Sequence, residues 1–145
     1  MPRCAAATLA FWLEIPRAPA EVWAALTTAE STAKFLHGVA LESEWHAGSA
    51  VTGRLGDQVV LQGQVLFAQR PIRVSYVLFD GPGQPELFVT WDVWPSAAGA
   101  MVCLSVDDFD TDDEGTAHLD QAWRPVMCAL QTLLASPMPG NSNLT

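Results

Sequence analysis

Tyr76 is the one tyrosine of this 145-residue chain and the polar residue best placed to meet a ligand. It lies in residues 73–79, where Val74, Tyr76 and Leu78 alternate with Ser75 and other positions. Apolar residues at every second position are typical of a strand with one buried face. A buried phenol needs a hydrogen-bond partner from the protein or from a ligand. Tyr76 is therefore the first candidate for a polar contact inside a binding cavity.

Large aromatic side chains surround Tyr76 in the predicted interior. The chain has six tryptophans, and strand or helix periodicity directs four of them towards this interior. Such residues either fill a core or line a cavity, and their spacing leaves both interpretations open. The predicted lining comprises Trp23, Phe35, Trp45, Phe67, Tyr76, Leu78, Trp91, Trp123 and Met127.

A dense run of acids lies between Asp107 and Glu114. Alternating carboxylates in it resemble the start of a calcium loop. However, Asp113 stands at the sixth position, where that loop needs glycine, and Leu119 stands at the twelfth, where it needs glutamate. Thr111 and Glu114 instead have the spacing of a helix capping box. We therefore predict a helix start here and no metal site.

The three histidines, His37, His46 and His118, share no ligand or catalytic spacing. No nucleophile elbow, phosphate-binding loop or H-E-x-x-H helix accompanies them. We predict no catalytic residue and no cofactor. The sequence thus favours a binding protein over an enzyme and leaves catalysis open.

Composition excludes several classes of partner. Sixteen acidic residues against seven basic ones give a formal charge of −9, which argues against nucleic acid and an anionic membrane surface. No apolar run reaches the length of a membrane span. Three widely spaced cysteines are typical of free thiols in a reducing cytoplasm. We predict a cytoplasmic protein without membrane insertion, either a monomer or a homodimer.

Periodicity and turn residues predict the elements that position these side chains. The first of two short helices begins at Pro19, and Thr27 with Glu30 has capping-box spacing for the second, which ends near Leu36 and Gly38. The strands follow one another at hairpin spacing, without room for a crossover helix, so the sheet is antiparallel. The predicted strands cover residues 10–15, 39–45, 49–55, 59–68, 73–79, 87–94 and 100–106.

Residues 59–68 show which face of the sheet is solvated. One face of this strand is apolar and the other carries Gln62 and Gln64. Similar alternation in other strands predicts an antiparallel sheet with one wet face, so the remaining helix must cover the other. The residues assigned to the covered face are Val59, Leu61, Gly63, Val65 and Phe67.

Residues 111–136 form the one long helix that the sequence predicts. Its apolar residues recur at steps of three and four, which makes one continuous buried stripe. Pro125 removes the intrahelical bond to the Gln121 carbonyl, so we expect a kink or a break there. The corresponding hypothesis is a pocket mouth at the bend near Trp123, facing the two short helices.

A family resemblance extends from Phe11 to Ser136. The residues that carry it are Ile15-Pro16, Ala18-Pro19, residues 22–27, Trp45, Gly48-Ser49, residues 53–57, residues 63–65, Arg70-Pro71, residues 74–76, Trp123, Pro125 and residues 130–134. In these residues and in its order of elements the chain resembles the START/SRPBCC superfamily. More narrowly, it is similar to the family named after the C-terminal domain of the activator of heat-shock protein 90 ATPase.

The resemblance implies an α+β helix-grip fold, in which a curved seven-stranded antiparallel sheet wraps round the C-terminal helix and encloses a hydrophobic cavity. It implies binding of a hydrophobic small molecule, such as a lipid, polyketide or aromatic metabolite, in an internal cavity between the sheet and the C-terminal helix. Two alternatives stay open. An interaction protein acting on a chaperone or regulator would have a solid core and an exposed apolar patch, and a cyclase- or dehydratase-like enzyme would need an acid–base pair inside. The length predicts one domain over residues 1–145, with a core at 10–136 and a flexible tail at 137–145.

Overall fold

The computed structural model describes residues 9–79, 87–107 and 113–135, with side chains from residue 120 onwards in the last range. Thr111, the proposed helix cap, and the tail at 137–145 lie outside these ranges. The predicted order of elements is confirmed. The elements are β1 (Leu9–Ile15), α1 (Pro19–Leu26), α2 (Ala29–Phe35), β2 (Ala40–Glu42), β3 (Ala50–Leu55), β4 (Gln58–Gln69), β5 (Arg73–Phe79), β6 (Leu87–Ser96), β7 (Gly99–Asp107) and α3 (Asp113–Ala135).

The seven strands form one antiparallel sheet in the order β1-β7-β6-β5-β4-β3-β2. Strands β2 to β6 each pair with the next strand along the chain, and β7 also pairs with β1. The first two helices lie between the two edge strands in sequence, and α3 packs on the concave face. This is the predicted α+β helix-grip fold, which is confirmed.

A register shift in β4 changes the face of the sheet on which its last side chains lie. Val65 pairs with Tyr76, but the next pair is Phe67 with Ser75, so Leu66 is the extra residue of a bulge. Phe67 therefore shares the outer face with Ser75 and is 43 % exposed. Its predicted place on the inner face is wrong, because strict alternation fails across a bulge.

A second register shift, between Gly53 and Arg54 of β3, has the same effect on the start of β4. Val59 pairs with Arg54 and is 46 % exposed, so its predicted place on the inner face is also wrong. Between the two shifts, Gly63 keeps the inner face. A Cβ atom at Gly63 would lie 1.9 Å from the Val77 carbonyl oxygen, so the close approach of β5 requires glycine there.

The junction of α1 and α2 differs from the predicted capping box. Thr27 is the C-cap residue of α1, directly after its last residue, and its Oγ1 donates a hydrogen bond to the Trp23 carbonyl oxygen at 2.8 Å. Thr28 precedes α2 as its N-cap residue and makes no side-chain capping bond. The predicted box between Thr27 and Glu30 is therefore wrong, because the Thr27 hydroxyl is bound to the preceding helix.

Helix α3 continues through Pro125 from Asp113 to Ala135, so the proline does not split it. Two side chains hold α3 from outside. Arg17 Nε donates to the Leu134 carbonyl oxygen at 2.9 Å. His37 Nε2 donates to the Ala122 carbonyl oxygen at 2.7 Å. The buried stripe that joins α3 to the sheet comprises Trp123, Val126, Met127, Leu130 and Leu134.

Candidate functional site

Tyr76 belongs to a row of aromatic side chains on the inner face. Its hydroxyl oxygen accepts a hydrogen bond from Trp91 Nε1 at 3.0 Å. The Trp91 ring meets Phe35 of α2 edge to face, with ring centroids 6.2 Å apart. The Tyr76 ring meets Trp45 in the same way at 5.7 Å. Because Phe35, Tyr76 and Trp91 are each at most 3 % exposed, aromatic packing fills this part of the interior.

Trp45 ends the row in a backbone conformation that bulky residues seldom adopt. Its φ of 59° lies in the left-handed region, which costs an L-residue about 1–2 kcal/mol. The strand β2 ends at Glu42, before this turn, so its predicted end at Trp45 is wrong. The Trp45 N–H donates to Ser43 Oγ at 3.0 Å. The turn thereby holds the indole against Tyr76.

A cleft of about 320 Å³ opens beside Trp45, and we call it the Trp23–Trp45 cleft. Helix α1, the segment after β2 and the end of β4 supply its walls. Its volume is at the lower end of the range of about 300–1,000 Å³ that is typical of small-molecule sites. The lining comprises Trp23, Ala24, Thr27, Thr28, Glu44, Trp45, Ala68 and Arg70.

The polar groups of the cleft differ in whether they already have a partner within the protein. The hydroxyls of Thr27 and Thr28 both donate to carbonyl oxygens of α1. The Glu44 side chain is 83 % exposed and lies 4.0 Å from His46 Nε2. Arg70 is exposed at the turn after β4. The cleft thus combines two indoles with one carboxylate and one guanidinium.

Burial raises the pKa of Tyr76 to about 12, although the hydrogen bond from Trp91 acts in the opposite direction. The phenol is therefore neutral at physiological pH. In the part of the chain that the structure describes, no group of three or more His, Cys, Asp or Glu side chains could hold a metal ion. What the inner face provides is hydrogen bonding and aromatic surface.

The remaining residues of the predicted lining lie either in the core or on the outer face of the sheet. Leu78 of β5 is buried in the core with Trp123 and Met127 of α3, which join the aromatic row in one cluster. Phe67 lies on the outer face of the sheet, as its pairing shows. The fold therefore brings together all of the predicted set except Phe67. Of that set, Trp23 and Trp45 line the open cleft.

An open groove of about 900 Å³ runs beside Pro125, near the predicted pocket mouth. Lys34 of α2 lines this groove together with α3, so the groove faces the short helices as the hypothesis expected. Trp123, however, is 7 % exposed and packs into the core. Asp120 and Arg124, joined at 2.7 Å, form part of its lining. The groove is a surface feature lined mainly by exposed α3 side chains.

Trp12 of β1 and Trp94 of β6 form a second aromatic feature, on the outer face of the sheet. Their rings stack with centroids 5.6 Å apart and an interplanar angle of 21°. They are 62 % and 42 % exposed. Glu14 lies on the same face two residues after Trp12, because alternate residues of a strand share a face. We call this surface the Trp12–Trp94 pair.

Arg70 and Ala68 are cleft residues that the sequence reasoning missed. Arg70 lies in the connection between β4 and β5, and Trp45 lies in the connection between β2 and β3. In an antiparallel sheet of consecutive strands, alternate connections lie at the same end. The predicted topology therefore places Arg70 and Trp45 at the same end of the sheet.

Residues 16–135 match the family model of the activator of Hsp90 ATPase homolog 1-like proteins. The chain belongs to this family. The match covers every element that lines the Trp23–Trp45 cleft. A comparison with curated proteins gave no significant match.

Solved structures with this fold align with most of the chain. DynU16, from the dynemicin biosynthetic locus, has a TM-score of 0.79 at 18 % identity, over 91 % of this chain and 48 % of its own. The Aha1 dimer from Colwellia psychrerythraea has a TM-score of 0.72 at 14 % identity, over 88 % of this chain and 96 % of its own. PFC0360w, an HSP90 activator from Plasmodium falciparum, has a TM-score of 0.70 at 13 % identity, over 90 % of this chain and 98 % of its own. At these identities the similarity shows the fold.

Crossing a bilayer takes about 20 consecutive apolar residues. Among the described residues, no helix is long and apolar enough to do so.

Proposed function

We propose that this member of the activator of Hsp90 ATPase homolog 1-like family binds a compact apolar molecule in the Trp23–Trp45 cleft, without catalysis. The observation that carries the proposal is the conformation of Trp45. A tryptophan at φ 59° is strained, and it lines an open cleft while its ring contacts Tyr76. Strained residues concentrate at ligand sites, where the surrounding structure supports them.

The size of the cleft restricts the class of ligand. The interior beyond Trp45 is occupied by Tyr76, Trp91 and Phe35, which contact one another. A volume of about 320 Å³ suits a molecule of one or two rings better than a long-chain lipid or a sterol. DynU16, which has the same fold, comes from a biosynthetic locus. A small aromatic metabolite is therefore the ligand class that we propose.

A thermal-shift measurement tests this function. A neutral two-ring aromatic amide, naphthamide, should raise the melting temperature of the wild type by mass action. The increase should disappear in Trp45→Ala and persist in Trp12→Ala, because Trp12 lies on the outer face. Palmitate should give a smaller increase than naphthamide. The proposal fails if wild type and Trp45→Ala respond alike, or if no aromatic probe, neutral or charged, shifts the wild type at millimolar concentration.

The Trp12–Trp94 pair favours a second function, an interaction protein that acts on a chaperone. Exposed aromatic side chains are enriched in protein interfaces and often carry much of their binding energy. The neighbouring Glu14 and the formal charge of −9 suit a partner with a basic surface. The family name, activator of Hsp90 ATPase homolog 1-like, points to heat-shock protein 90 as that partner.

The ATPase rate of purified heat-shock protein 90 distinguishes this second function. Stimulation by the wild type and by Trp45→Ala, with loss in the double variant Trp12→Ser/Trp94→Ser, would support the outer face as the chaperone-binding surface. A rate unchanged by the wild type would exclude it. Gel filtration of the same variants shows whether the pair instead mediates self-association.

We also propose a cytoplasmic location. Cys103 and Cys128 are free, and Cys128 is exposed on α3. An exposed thiol stays reduced in a reducing compartment and is open to oxidation elsewhere.

A further inference from the structure

Arg70 differs from the other arginines that the structure describes. Four of them have a carboxylate within 4.0 Å, whereas Arg70 has no carboxylate partner among the described residues. Arg70 is also the arginine that lines the Trp23–Trp45 cleft. The paired arginines are Arg17 with Glu21, Arg54 with Glu42, Arg73 with Asp92, and Arg124 with Asp120.

The absence of a carboxylate partner for Arg70 among the described residues is unexpected from the composition. The chain has sixteen acids and seven bases, so a carboxylate partner is easy to find on its surface. Lys34 also lacks one among the described residues, but it faces the α3 groove, where Asp120 is part of the lining. Within the part of the chain that the structure describes, the Arg70 guanidinium has no carboxylate partner, so its N–H donors can bind another group in the cleft.

The other polar groups of the cleft cannot replace Arg70 in binding an anion. The hydroxyl protons of Thr27 and Thr28 are used by carbonyl oxygens of α1. Glu44 is an acceptor and repels an anion, but its side chain is 83 % exposed, so water screens this repulsion. Arg70 is the one cationic side chain among the lining residues.

We propose that the cleft selects compact aromatic carboxylates, with the ring against Trp23 and Trp45 and the carboxylate on Arg70. This inference rests on the proposed function and adds the charge of the ligand to it. A guanidinium and a carboxylate are both planar and can form two parallel N–H···O bonds. The ring supplies apolar contact to the indoles, and the ion pair orients it. The inference therefore predicts a preference for acids over their amides.

Isothermal titration calorimetry with naphthoate and naphthamide tests the preference, since the two probes have nearly the same shape and differ in charge. Naphthoate should bind the wild type roughly two- to fivefold more tightly than naphthamide, because Arg70 is exposed and water screens the ion pair. Arg70→Gln should remove this difference by weakening naphthoate more than naphthamide. Arg54→Gln, which replaces an arginine paired with Glu42 on the edge hairpin, is the matched control and should behave as the wild type.

The outcomes separate this inference from the proposed function. If both probes bind alike, bind less well to Trp45→Ala and are unaffected by Arg70→Gln, the charge preference is overturned and the cleft stands. If neither probe binds the wild type, or if Trp45→Ala binds both probes as the wild type does, both proposals fall. Raising the salt concentration should weaken naphthoate binding and leave naphthamide unchanged.

Discussion

Tyr76 shows at the scale of one residue how packing determines chemistry. Its ring contacts Trp45 and its oxygen accepts a hydrogen bond from Trp91. The same burial that allows these contacts disfavours the phenolate. Tyr76 therefore acts as a neutral hydrogen-bonding group between the core and the cleft.

Titration of Tyr76 gives a direct test of its burial. Since it is the one tyrosine in the chain, near-ultraviolet absorbance of tyrosinate reports on it alone. We expect ionisation of the folded protein near pH 12, against about 10 for the unfolded chain. Because the pKa is higher in the folded state, the neutral phenol contributes to the free energy of unfolding. This contribution is complete below pH 10 and is lost as the pH rises to 12. Its magnitude is on the order of 2–3 kcal/mol. A folded-state midpoint near 10 would contradict the buried position.

Replacement of Trp45 separates backbone strain from side-chain packing. Trp45→Ala and Trp45→Gly both remove the indole, but glycine accepts a φ of 59° without strain. We expect Trp45→Gly to be more stable than Trp45→Ala by about 1 kcal/mol in denaturant unfolding. Trp94 lies in extended β6, so Trp94→Gly should instead be less stable than Trp94→Ala by about 0.5–1 kcal/mol. The same order at both positions would refute strain at Trp45.

Thr32 connects two elements and carries a prediction at that scale. It is 1 % exposed, donates to the Ala29 carbonyl oxygen at 3.1 Å, and accepts a hydrogen bond from the Leu41 N–H at 2.8 Å. Thr32→Val leaves that buried N–H unsatisfied and should cost about 1–3 kcal/mol in unfolding free energy. Thr32→Ser keeps the hydroxyl and should lose less, about 0.8 kcal/mol for the methyl group. A valine variant as stable as the serine variant would show that the bond to β2 is dispensable.

Strands β4 and β5 approach so closely at Gly63 that a methyl group has no space. Gly63→Ala would place Cβ 1.9 Å from the Val77 carbonyl oxygen, and we expect a loss of at least about 3 kcal/mol or failure to fold. Gly56→Asn is the control, because its Cβ would meet nothing within 4 Å and asparagine tolerates its φ of 65°. Circular dichroism during urea unfolding measures both. A Gly63→Ala variant within about 1 kcal/mol of wild type would contradict the strand packing.

Over the whole molecule, the order of elements and most inward positions followed from periodicity and turn residues. Hydrophobic alternation is a property of neighbouring residues, so a local pattern predicts it well. The two bulges, which place Phe67 and Val59 outside, depend on how β4 pairs with its neighbours. A single chain segment contains no information on that pairing, and both residues were assigned to the wrong face.

The candidate site was harder to predict than the fold. Trp23 and Trp45 were expected in the interior, but Arg70 joins them only because two distant turns meet at one end of the sheet. The left-handed turn at Trp45, which brings its indole to Tyr76, has no glycine to announce it in the sequence. Cleft residues come from α1, from β4 and from three connections, and their proximity is a tertiary property.

The molecule presents two aromatic surfaces, and their difference in position allows one measurement to decide between them. Trp23 and Trp45 line the cleft between α1 and the concave side of the sheet, whereas Trp12 and Trp94 stack on the outer face. Each of the six tryptophans has one indole N–H, which gives one signal in a heteronuclear magnetic resonance spectrum.

Addition of naphthamide and naphthoate to isotope-labelled protein tests the central claim most directly. If the Trp23–Trp45 cleft is the binding site, the indole signals of Trp23 and Trp45 shift in a saturable way, while those of Trp12 and Trp94 stay in place. Single tryptophan substitutions assign the signals. Shifts confined to Trp12 and Trp94, or no saturable shift of any indole at millimolar probe, would contradict the claim that the cleft binds an aromatic ligand.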